Sequence, residues 1–245
     1  MRLKDNVAIV TGGARGIGKA IAELFASEGA TVYIWDVLDM GTETSKELSA
    51  KGYAVHFDKV SVTDRSQIEA SSQAIFDKHG KIDILINNAG ILRDKSLFKM
   101  SDDEWDASID VNLKGTFLCT RAVAAFMRQN KYGRIVSAAS TTALRGNFGQ
   151  SNYAAAKGGI MSMSKTWAME LGKHGITSNV IAPGYTQTEM TETIPKEMQK
   201  MALMMIPVGF IADPIDIAQG YLFLASPEAR FVSGITLPID GGYSR

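Results

Sequence analysis

The sequence contains little cysteine and histidine and carries no excess of charge. Cys119 is the only cysteine among 245 residues, so an internal disulfide is excluded. The three histidines, His56, His79 and His174, are scattered and lack ligand spacing with carboxylates or with Cys119, so we expect no metal site. Because 26 basic residues balance 26 acidic ones, no overall positive field favours nucleic acid or an anionic membrane surface. A small-molecule partner is favoured instead.

Long apolar runs are also missing. No stretch approaches the roughly 20 apolar residues that a membrane helix needs. The opening Met-Arg-Leu-Lys-Asp lacks the apolar segment of a secretion signal. We therefore expect a soluble protein of the cytoplasm with no membrane partner. Cys119 lies in an apolar run with no activating base nearby in the sequence, so we expect it to pack in the core.

Short β-branched runs alternate with segments whose apolar positions recur at helical spacing. Seven strands are predicted from these runs, at residues 7–10, 31–35, 54–57, 82–86, 134–136, 178–181 and 236–238. Strands that alternate with helices pair in parallel through right-handed crossovers, and continuous apolar strands imply a sheet covered on both faces. We predict a doubly wound, Rossmann-like α/β fold, with residues 1–245 as a single domain and a mobile substrate flap at about 186–210.

A glycine cluster follows the first predicted strand directly. Gly12, Gly16 and Gly18 permit a tight turn, close approach of the backbone to a pyrophosphate, and close helix packing. The helix that begins within the cluster supplies oriented N–H donors at its N-terminus. We therefore predict a dinucleotide site here, with Arg15 and Ile17 beside the glycines.

Three motifs in order along the chain carry a family resemblance. The glycine spacing is G-x-x-x-G-x-G, which differs from the commonest dinucleotide fingerprint. Asn-Asn-Ala-Gly occupies residues 87–90, and Tyr-Ala-Ala-Ala-Lys occupies residues 153–157. Together they resemble the short-chain dehydrogenase/reductase family over nearly the whole chain. Residues 88–94 and 149–153 are closest in appearance to 3-oxoacyl-[acyl carrier protein] reductases and 3-hydroxyacyl-CoA dehydrogenases. The resemblance implies an NAD(P)-dependent oxidoreductase.

The choice between NAD and NADP depends on Asp36 and Arg15. Asp36 closes the second predicted strand about twenty residues after the glycine loop, where its carboxylate can accept hydrogen bonds from both ribose hydroxyls of NAD. A 2′-phosphate would meet like charge there. Arg15 leaves NADP as an alternative, because a basic residue just before the second glycine resembles family members that use NADP. We predict NAD in preference to NADP.

The resemblance extends the predicted cofactor site along the chain. Val62 is expected to form an apolar wall beside the adenine ring, and Ser61 stands where many members carry an acid or an amide. Asn87 is expected to tie strands together, and Thr188 stands where members hydrogen-bond the nicotinamide carboxamide. The complete predicted set is Gly12, Arg15, Gly16, Ile17, Gly18, Asp36, Ser61, Val62, Asn88, Ala89, Gly90, Tyr153, Lys157, Pro183, Gly184, Thr186 and Thr188.

Tyr153 and Lys157 form the predicted reacting end. They lie four positions apart on one predicted helix, so their side chains share a face. A free tyrosine titrates near 10, and we expect the positive charge of Lys157 to lower the pKa of Tyr153. By resemblance, Ser140 polarises the substrate carbonyl, and Asn112 distorts its helix and connects Lys157 to solvent through an ordered water. These four residues are the predicted catalytic set.

Two enzymatic interpretations of the substrate stay open. One is a 3-oxoacyl thioester carried by acyl carrier protein or CoA; the other is a small secondary alcohol, polyol or sugar oxidised with NAD. A third interpretation, a catalytically silent nucleotide-sensing protein, is disfavoured by the intact catalytic set. The resemblance also implies a homotetramer that pairs helices around residues 103–130 and 153–171 and the segment near 234–243. Candidate cations for docking a carrier protein are Arg128, Lys131, Lys173 and His174.

Overall fold

The chain folds around one seven-stranded parallel sheet. A computed structural model describes residues 1–192 and 196–244. The strand order is β3-β2-β1-β4-β5-β6-β7, and every neighbouring pair is parallel. All seven predicted strands are present, with ends that differ by one or two residues from the prediction. The strands are β1 (Val7–Thr11), β2 (Thr31–Asp36), β3 (Val55–Lys59), β4 (Ile84–Asn87), β5 (Gly133–Ala138), β6 (Ile176–Pro183) and β7 (Thr236–Ile239).

Helices cover both faces of the sheet, which confirms the doubly wound α/β prediction. One face carries α1, α2 and α10, and the other carries α3, α5 and α7. The helices are α1 (Gly16–Ser27), α2 (Met40–Ala50), α3 (Arg65–His79), α4 (Asp102–Ser108), α5 (Gly115–Asn130), α6 (Thr142–Arg145), α7 (Ser151–Leu171), α8 (Glu189–Glu192), α9 (Lys196–Met204) and α10 (Pro214–Ala225). No helix among the described residues is long and apolar enough to cross a membrane.

The two-residue period of the strands divides the core. In β1, Ala8 and Val10 join the cluster under α1 and α10, whereas Val7 and Ile9 join the cluster under α3 and α5. Cys119 is fully buried in the second cluster, and burial raises the pKa of its thiol to about 12. This burial confirms the prediction that Cys119 packs in the core. A thiol that is held protonated is also a poor nucleophile.

The strand order reverses between β1 and β4. The chain runs outward from β1 to β3, then returns to β4 and continues outward in the other direction. The loops after β1 and β4 therefore diverge at their carboxyl ends and leave a crevice, which is where ligands bind in open α/β sheets. The glycine cluster and the Asn-Asn-Ala-Gly motif are the two loops that border this crevice.

Two segments depart from the regular pattern. The helix predicted around residues 103–130 is interrupted by a π-helical turn, Ile109–Lys114, between α4 and α5. The stretch predicted as a substrate flap, 186–210, forms no strand in its described part and contains α8 and α9. Residues 193–195 of that stretch lie outside the described residues. Short helices here agree with the Met- and Thr-rich composition, which gave no strand periodicity.

Candidate active site

A cleft of about 520 Å³ lies at the carboxyl edge of the sheet, over the reversal between β1 and β4. Every residue predicted to bind the cofactor lines it, although these residues come from six separate stretches of the chain. Ser140, Tyr153 and Lys157 of the predicted catalytic set also line it, whereas Asn112 does not. The fold therefore brings the sequence motifs together at one site.

The glycine loop is shaped to accept a pyrophosphate. Gly12 has a φ of +64°, and a Cβ there would lie 2.8 Å from the Cα of Ala89, so only glycine fits. Helix α1 begins at Gly16 with no acidic residue in its first turn and no side-chain cap on its N–H groups. Gly16, Ile17 and Gly18 of this first turn line the cleft, and N–H groups at a helix N-terminus are donors for an anion. A phosphate-bearing dinucleotide fits this cradle.

Hydrogen bonds hold the two cleft loops against each other. The Thr11 hydroxyl accepts from the backbone N–H groups of Asn88 and Ala89, each at 3.0 Å. The Asn88 amide donates to the carbonyls of Thr11 and Gly12 at 3.2 and 3.1 Å. Asn88 therefore positions the glycine loop. Asn87 donates to Thr120 and to a serine of β5, which ties strands together as predicted.

Asp36 stands fixed at the end of β2. One of its carboxylate oxygens accepts from the Ala14 N–H and the other from the Leu38 N–H, both at 3.1 Å. These contacts hold the carboxylate toward the loop while leaving acceptor capacity for a ligand. Arg15 lines the same part of the cleft but is exposed.

The end of the cleft where the resemblance predicts the adenine ring has apolar residues in its wall. Val62 is nearly buried and lines the wall, as expected. Ser61 also lines it, but its hydroxyl is 2.8 Å from the Thr63 hydroxyl, so the side chain is already engaged. Val37 and Leu38 complete this wall although both are substantially exposed. Sequence reasoning missed them; two apolar residues directly after the strand-ending carboxylate were the available signal.

Tyr153 and Ser140 meet at the other end of the cleft. Tyr153 lies in the first turn of α7, and its backbone N–H donates to the side chain of the buried Asn152 at 2.7 Å. Burial raises the pKa of the Tyr153 phenol to about 12; a hydrogen bond with the Ser140 hydroxyl opposes that rise, and the negative charge of Asp94 adds to it. Thr142 instead bonds Gln150, so Ser140 is the hydroxyl that serves Tyr153.

Lys157 does not lower the pKa of Tyr153 in the protein alone, so that expectation is wrong for the cofactor-free chain. Its ammonium nitrogen is 5.5 Å from the Tyr153 ring centre and donates to the Ala138 carbonyl at 2.7 Å. Burial lowers the pKa of Lys157 to about 8. Both shifts have the same physical cause, because a water-poor site disfavours tyrosinate and ammonium alike.

Asn112 lies behind the cleft wall, in the π-helical turn. It is fully buried, and its amide donates to the Ile91 carbonyl at 3.0 Å and to the Ser108 carbonyl at 2.9 Å. Its side-chain oxygen accepts from the Ile91 N–H at 3.2 Å. A Cβ on Gly90 would lie 2.6 Å from that oxygen. Asn112 therefore positions the Asn-Ala-Gly loop, and its helix is distorted as the resemblance implied.

A polar network that sequence reasoning missed joins the loops on either side of the reacting end. The Gln150 amide donates to the Asp94 carboxylate at 2.7 Å, and its carbonyl oxygen accepts from Thr142 at 3.0 Å and Asn147 at 2.9 Å. Gln150 lines the cleft and is nearly buried. Burial raises the pKa of Asp94, whereas its bond with Gln150 lowers it. Both residues occur in motifs quoted for the resemblance, which was the available signal.

The loop after β6 closes the cleft from the side of α8. A Cβ on Gly184 would lie 2.7 Å from the Cα of Asp240, so the backbone passes close to the C-terminal segment. The Thr191 hydroxyl donates to the Thr186 carbonyl at 2.7 Å and accepts from the Thr188 N–H at 2.9 Å. These bonds fix the part of the cleft lining that contains Pro183, Gly184, Thr186 and Thr188.

The candidate docking cations do not line the cleft. Arg128 and Lys131 stand at the end of α5, and Lys173 and His174 follow α7. Helix α7 has 21 residues, so its two ends are about 30 Å apart, and Tyr153 is at the opposite end. The four residues lie near one another. Burial is the largest cause that lowers the pKa of His174, and the positive charges of Arg128, Lys173 and Lys131 lower it further.

The histidines are engaged elsewhere. The His79 ring is 2.8 Å from the Tyr33 hydroxyl, and the His56 ring lies 4.8 Å from the Tyr33 ring. Among residues 1–192 and 196–244, no group of three or more His, Cys, Asp or Glu residues is placed to hold a metal ion. The polar groups of the cleft are hydroxyls, amides and isolated charges, which suit an organic ligand.

The chain is similar to known proteins over nearly its whole length. Residues 12–244 match the family model described as enoyl-(acyl carrier protein) reductase. The 3-oxoacyl-[acyl-carrier-protein] reductase FabG of Thermotoga maritima is 44% identical over 99% of this chain and 99% of its own. The (2S)-[(R)-hydroxy(phenyl)methyl]succinyl-CoA dehydrogenase subunit BbsD of Thauera aromatica is 42% identical over 100% of this chain and 98% of its own. The crystal structure of levodione reductase superposes with a TM-score of 0.93 at 35% identity, covering 99% of each chain.

Proposed function

The chain belongs to the short-chain dehydrogenase/reductase family of oxidoreductases that use a nicotinamide cofactor, and within that family we propose that it reduces a 3-oxoacyl thioester with NADH. The observation that carries the proposal is the junction of two halves in one cleft: a glycine cradle at the end of β1 and a Tyr153–Ser140 pair at the start of α7. Several relatives at 40–44% identity are 3-oxoacyl-[acyl-carrier-protein] reductases.

The residues at the reacting end have the chemistry that carbonyl reduction needs. A bound nicotinamide would supply the hydride, which no protein side chain can. Tyr153 gives its proton to the carbonyl oxygen, and the raised pKa keeps the phenol protonated at neutral pH. Ser140 hydrogen-bonds the same oxygen and polarises the carbonyl. Lys157 supplies a nearby cation whose pKa of about 8 allows it to return a proton to Tyr153. Asn112 acts as a positioning residue.

We propose NAD as the preferred cofactor. The Asp36 carboxylate is held by two backbone N–H groups at the position where a ribose would lie, and a 2′-phosphate there would meet its negative charge. Arg15 is the group that would favour NADP, but it is exposed and is not fixed toward Asp36 by an ion pair among the described residues. An exposed cation that is not held in place is screened by water and contributes little.

The test is steady-state turnover of acetoacetyl-CoA with NADH and, in parallel, with NADPH. We expect turnover with NADH and a lower kcat/KM with NADPH. Turnover only with NADPH would mean that Arg15 outweighs Asp36 and would contradict the cofactor proposal alone. No turnover with either cofactor, in a preparation that still binds NADH, would contradict the 3-oxoacyl substrate.

A second candidate is the oxidative direction on a secondary alcohol. It is favoured by the fixed Asp36 carboxylate and by the relative in Thauera aromatica, which is a dehydrogenase of a CoA thioester. Turnover of small secondary alcohols, polyols or sugars with NAD⁺, where acetoacetyl-CoA gives none, would support this candidate. A catalytically silent nucleotide sensor would bind NADH and turn over neither class.

We propose a homotetramer that works in the cytoplasm. An exposed apolar strip on α5 and α7, with Phe117 and Met169, and a shallow groove over Trp167 are suited to pairing these helices between protomers. If these helices pair in antiparallel orientation, the cations at the ends of α5 and α7 would lie near the cleft of a neighbouring protomer. A carrier protein could bind to them there. Sedimentation at micromolar concentration tests the assembly, and a stable monomer would contradict it.

A further inference from the structure

A cation at the rim of the reacting end has no role in the proposed reaction. Arg145 closes α6, which starts two residues after Ser140, and it lines the cleft together with Tyr153. Its guanidinium carbon lies 4.2 Å from the centre of the Tyr243 ring, and one of its nitrogens donates to the Tyr243 carbonyl at 3.3 Å. Stacking and a hydrogen bond hold the guanidinium in one orientation.

The contact with Tyr243 leaves N–H donors of the Arg145 guanidinium available for a ligand. An arginine carries five N–H donors, and the contact with Tyr243 uses one of them. Among residues 1–192 and 196–244, Arg145 forms no ion pair, whereas Lys157, the other cation on this part of the lining, donates to the Ala138 carbonyl. The acidic residues of the lining, Asp36 and Glu189, border the glycine loop instead. Arg145 is exposed, so the rim of the reacting end presents to solvent a cation that the contacts with Tyr243 orient.

An unsatisfied hydroxyl lies on the same wall. Tyr185 lines the cleft, and its hydroxyl is shielded from solvent and has no hydrogen-bond partner among the described residues. It stands close enough to Tyr243 for the two phenols to influence each other electrostatically. A buried polar atom without a partner costs free energy.

We propose that Arg145 binds a carboxylate carried by the acyl group of the substrate, so that the enzyme prefers 3-oxoacyl thioesters with a second acidic group. This inference rests on the proposed function. A planar guanidinium stacked on an aromatic ring presents an edge that suits a carboxylate in bidentate contact. The phosphates of CoA or of a carrier arm are an alternative source of anion, but they lie at the far end of a long arm, whereas Arg145 lines the same cavity as Tyr153.

The test compares three substrates: acetoacetyl-CoA, 3-oxoadipyl-CoA with its terminal carboxylate, and acetoacetyl-N-acetylcysteamine, which lacks phosphate. Arg145→Leu should lower kcat/KM for 3-oxoadipyl-CoA at least about 10-fold, chiefly through KM, and leave the other two unchanged. Arg145→Lys should recover part of the loss, since it keeps the charge without the fork. Arg230→Leu, at an exposed arginine away from the cleft, is the matched control.

Each other outcome has a distinct meaning. Equal losses on all three substrates would overturn the inference and leave Arg145 with the structural task of holding Tyr243. A loss on acetoacetyl-CoA that spares the N-acetylcysteamine ester would overturn it in favour of phosphate recognition. A wild type that reduces acetoacetyl-CoA while Arg145→Leu changes nothing would overturn the inference alone. A wild type that reduces none of the three would overturn the proposed function as well.

Discussion

The two ends of the cleft are built on opposite physical principles. At the glycine loop, polar groups are paired: Thr11 and Asn88 hold the loops, and backbone N–H groups hold Asp36. At the reacting end, burial pushes the pKa of Tyr153 up to about 12 and that of Lys157 down to about 8. Each shift marks a charged form that the folded protein disfavours.

The difference separates recognition from reaction. The glycine loop is held in place by hydrogen bonds within the protein. The reacting end keeps Lys157 in a site that destabilises its charge, and in the proposed reaction this stability cost serves proton transfer. Variants at the first end should therefore alter affinity for the dinucleotide, and variants at the second end should alter turnover, stability or pH dependence.

Among the variants that probe cofactor binding, the largest expected effect is on the glycine loop. In Gly12→Ala, a side chain in the left-handed region would meet the Ala89 backbone, so the Kd for NADH should rise at least about 10-fold. Fluorescence titration measures it. The control is Gly52→Ala, where φ is also positive, at +86°, but nothing lies within 4 Å of the new Cβ. Equal Kd values in the two variants would refute close approach as the reason for Gly12.

Lys157→Met should stabilise the cofactor-free protein while abolishing turnover. The folded-state pKa of Lys157, about 8, lies below the ordinary 10.5, so the folded chain binds fewer protons than the unfolded chain between these values. The destabilisation is complete below pH 8 and is relieved as the pH rises toward 10.5. We expect the free energy of unfolding to increase by about 1–2 kcal/mol at pH 7, after the lost bond to Ala138 is deducted.

Denaturant unfolding at pH 7 and pH 10 measures this change. Lys165→Met, at an exposed position of the same helix, is the control and should leave stability nearly unchanged at both pH values. A loss of stability in Lys157→Met at pH 7 would show that the ammonium is well accommodated in the fold. In that case the contrast between the two ends would fail.

Asp36→Ser should change cofactor preference without changing the chemical step. Removing the carboxylate removes its repulsion of a 2′-phosphate and its hydrogen bonds to the ribose. We expect the ratio of kcat/KM for NADH over NADPH to fall about 10-fold, with kcat for NADH largely retained. Asp39→Ser, at an exposed position nearby that pairs with Lys59, is the control. An unchanged ratio would mean that Asp36 only holds the glycine loop.

The smallest expected effect is electrostatic and concerns Asp94. Its negative charge raises the pKa of Tyr153, so Asp94→Asn should lower that pKa and keep the bond to Gln150 available. Reduction needs the protonated phenol, so the alkaline limb of the pH–rate profile should move to lower pH. Asp102→Asn, at the exposed start of α4, should leave the profile in place. A shift to higher pH in Asp94→Asn would contradict this electrostatic role.

Sequence patterns predicted the glycine end well because its function depends on backbone geometry. Gly12, Gly16 and Gly18 stand where a strand turns into a helix, and period and spacing alone indicate that turn. The seven strands were predictable for a related reason, since a sheet buried on both faces requires continuous apolar runs. The order of these motifs along the chain carried the family resemblance, and the resemblance predicted that they meet at one site.

The reacting end was predictable in identity but not in electrostatics. The spacing of Tyr153 and Lys157 indicated a shared helix face, yet the sign of the Tyr153 shift depends on how much water the fold excludes. The bonds among Asp94, Gln150 and Thr142 join segments 56 and 8 residues apart, and sequence alone gives no such distances. The placement of Arg145 against Tyr243 likewise depends on the C-terminal segment returning to the cleft.

The separation of binding from reaction is tested most directly by Tyr153→Phe, measured for both NADH affinity and turnover of acetoacetyl-CoA. The variant keeps the aromatic ring and removes the proton donor, and Tyr53→Phe, outside the cleft lining, is its control. The account predicts an NADH Kd close to wild type and a fall in kcat of about 10² to 10⁴. Turnover retained at the wild-type rate, or loss of NADH binding together with turnover, would contradict it.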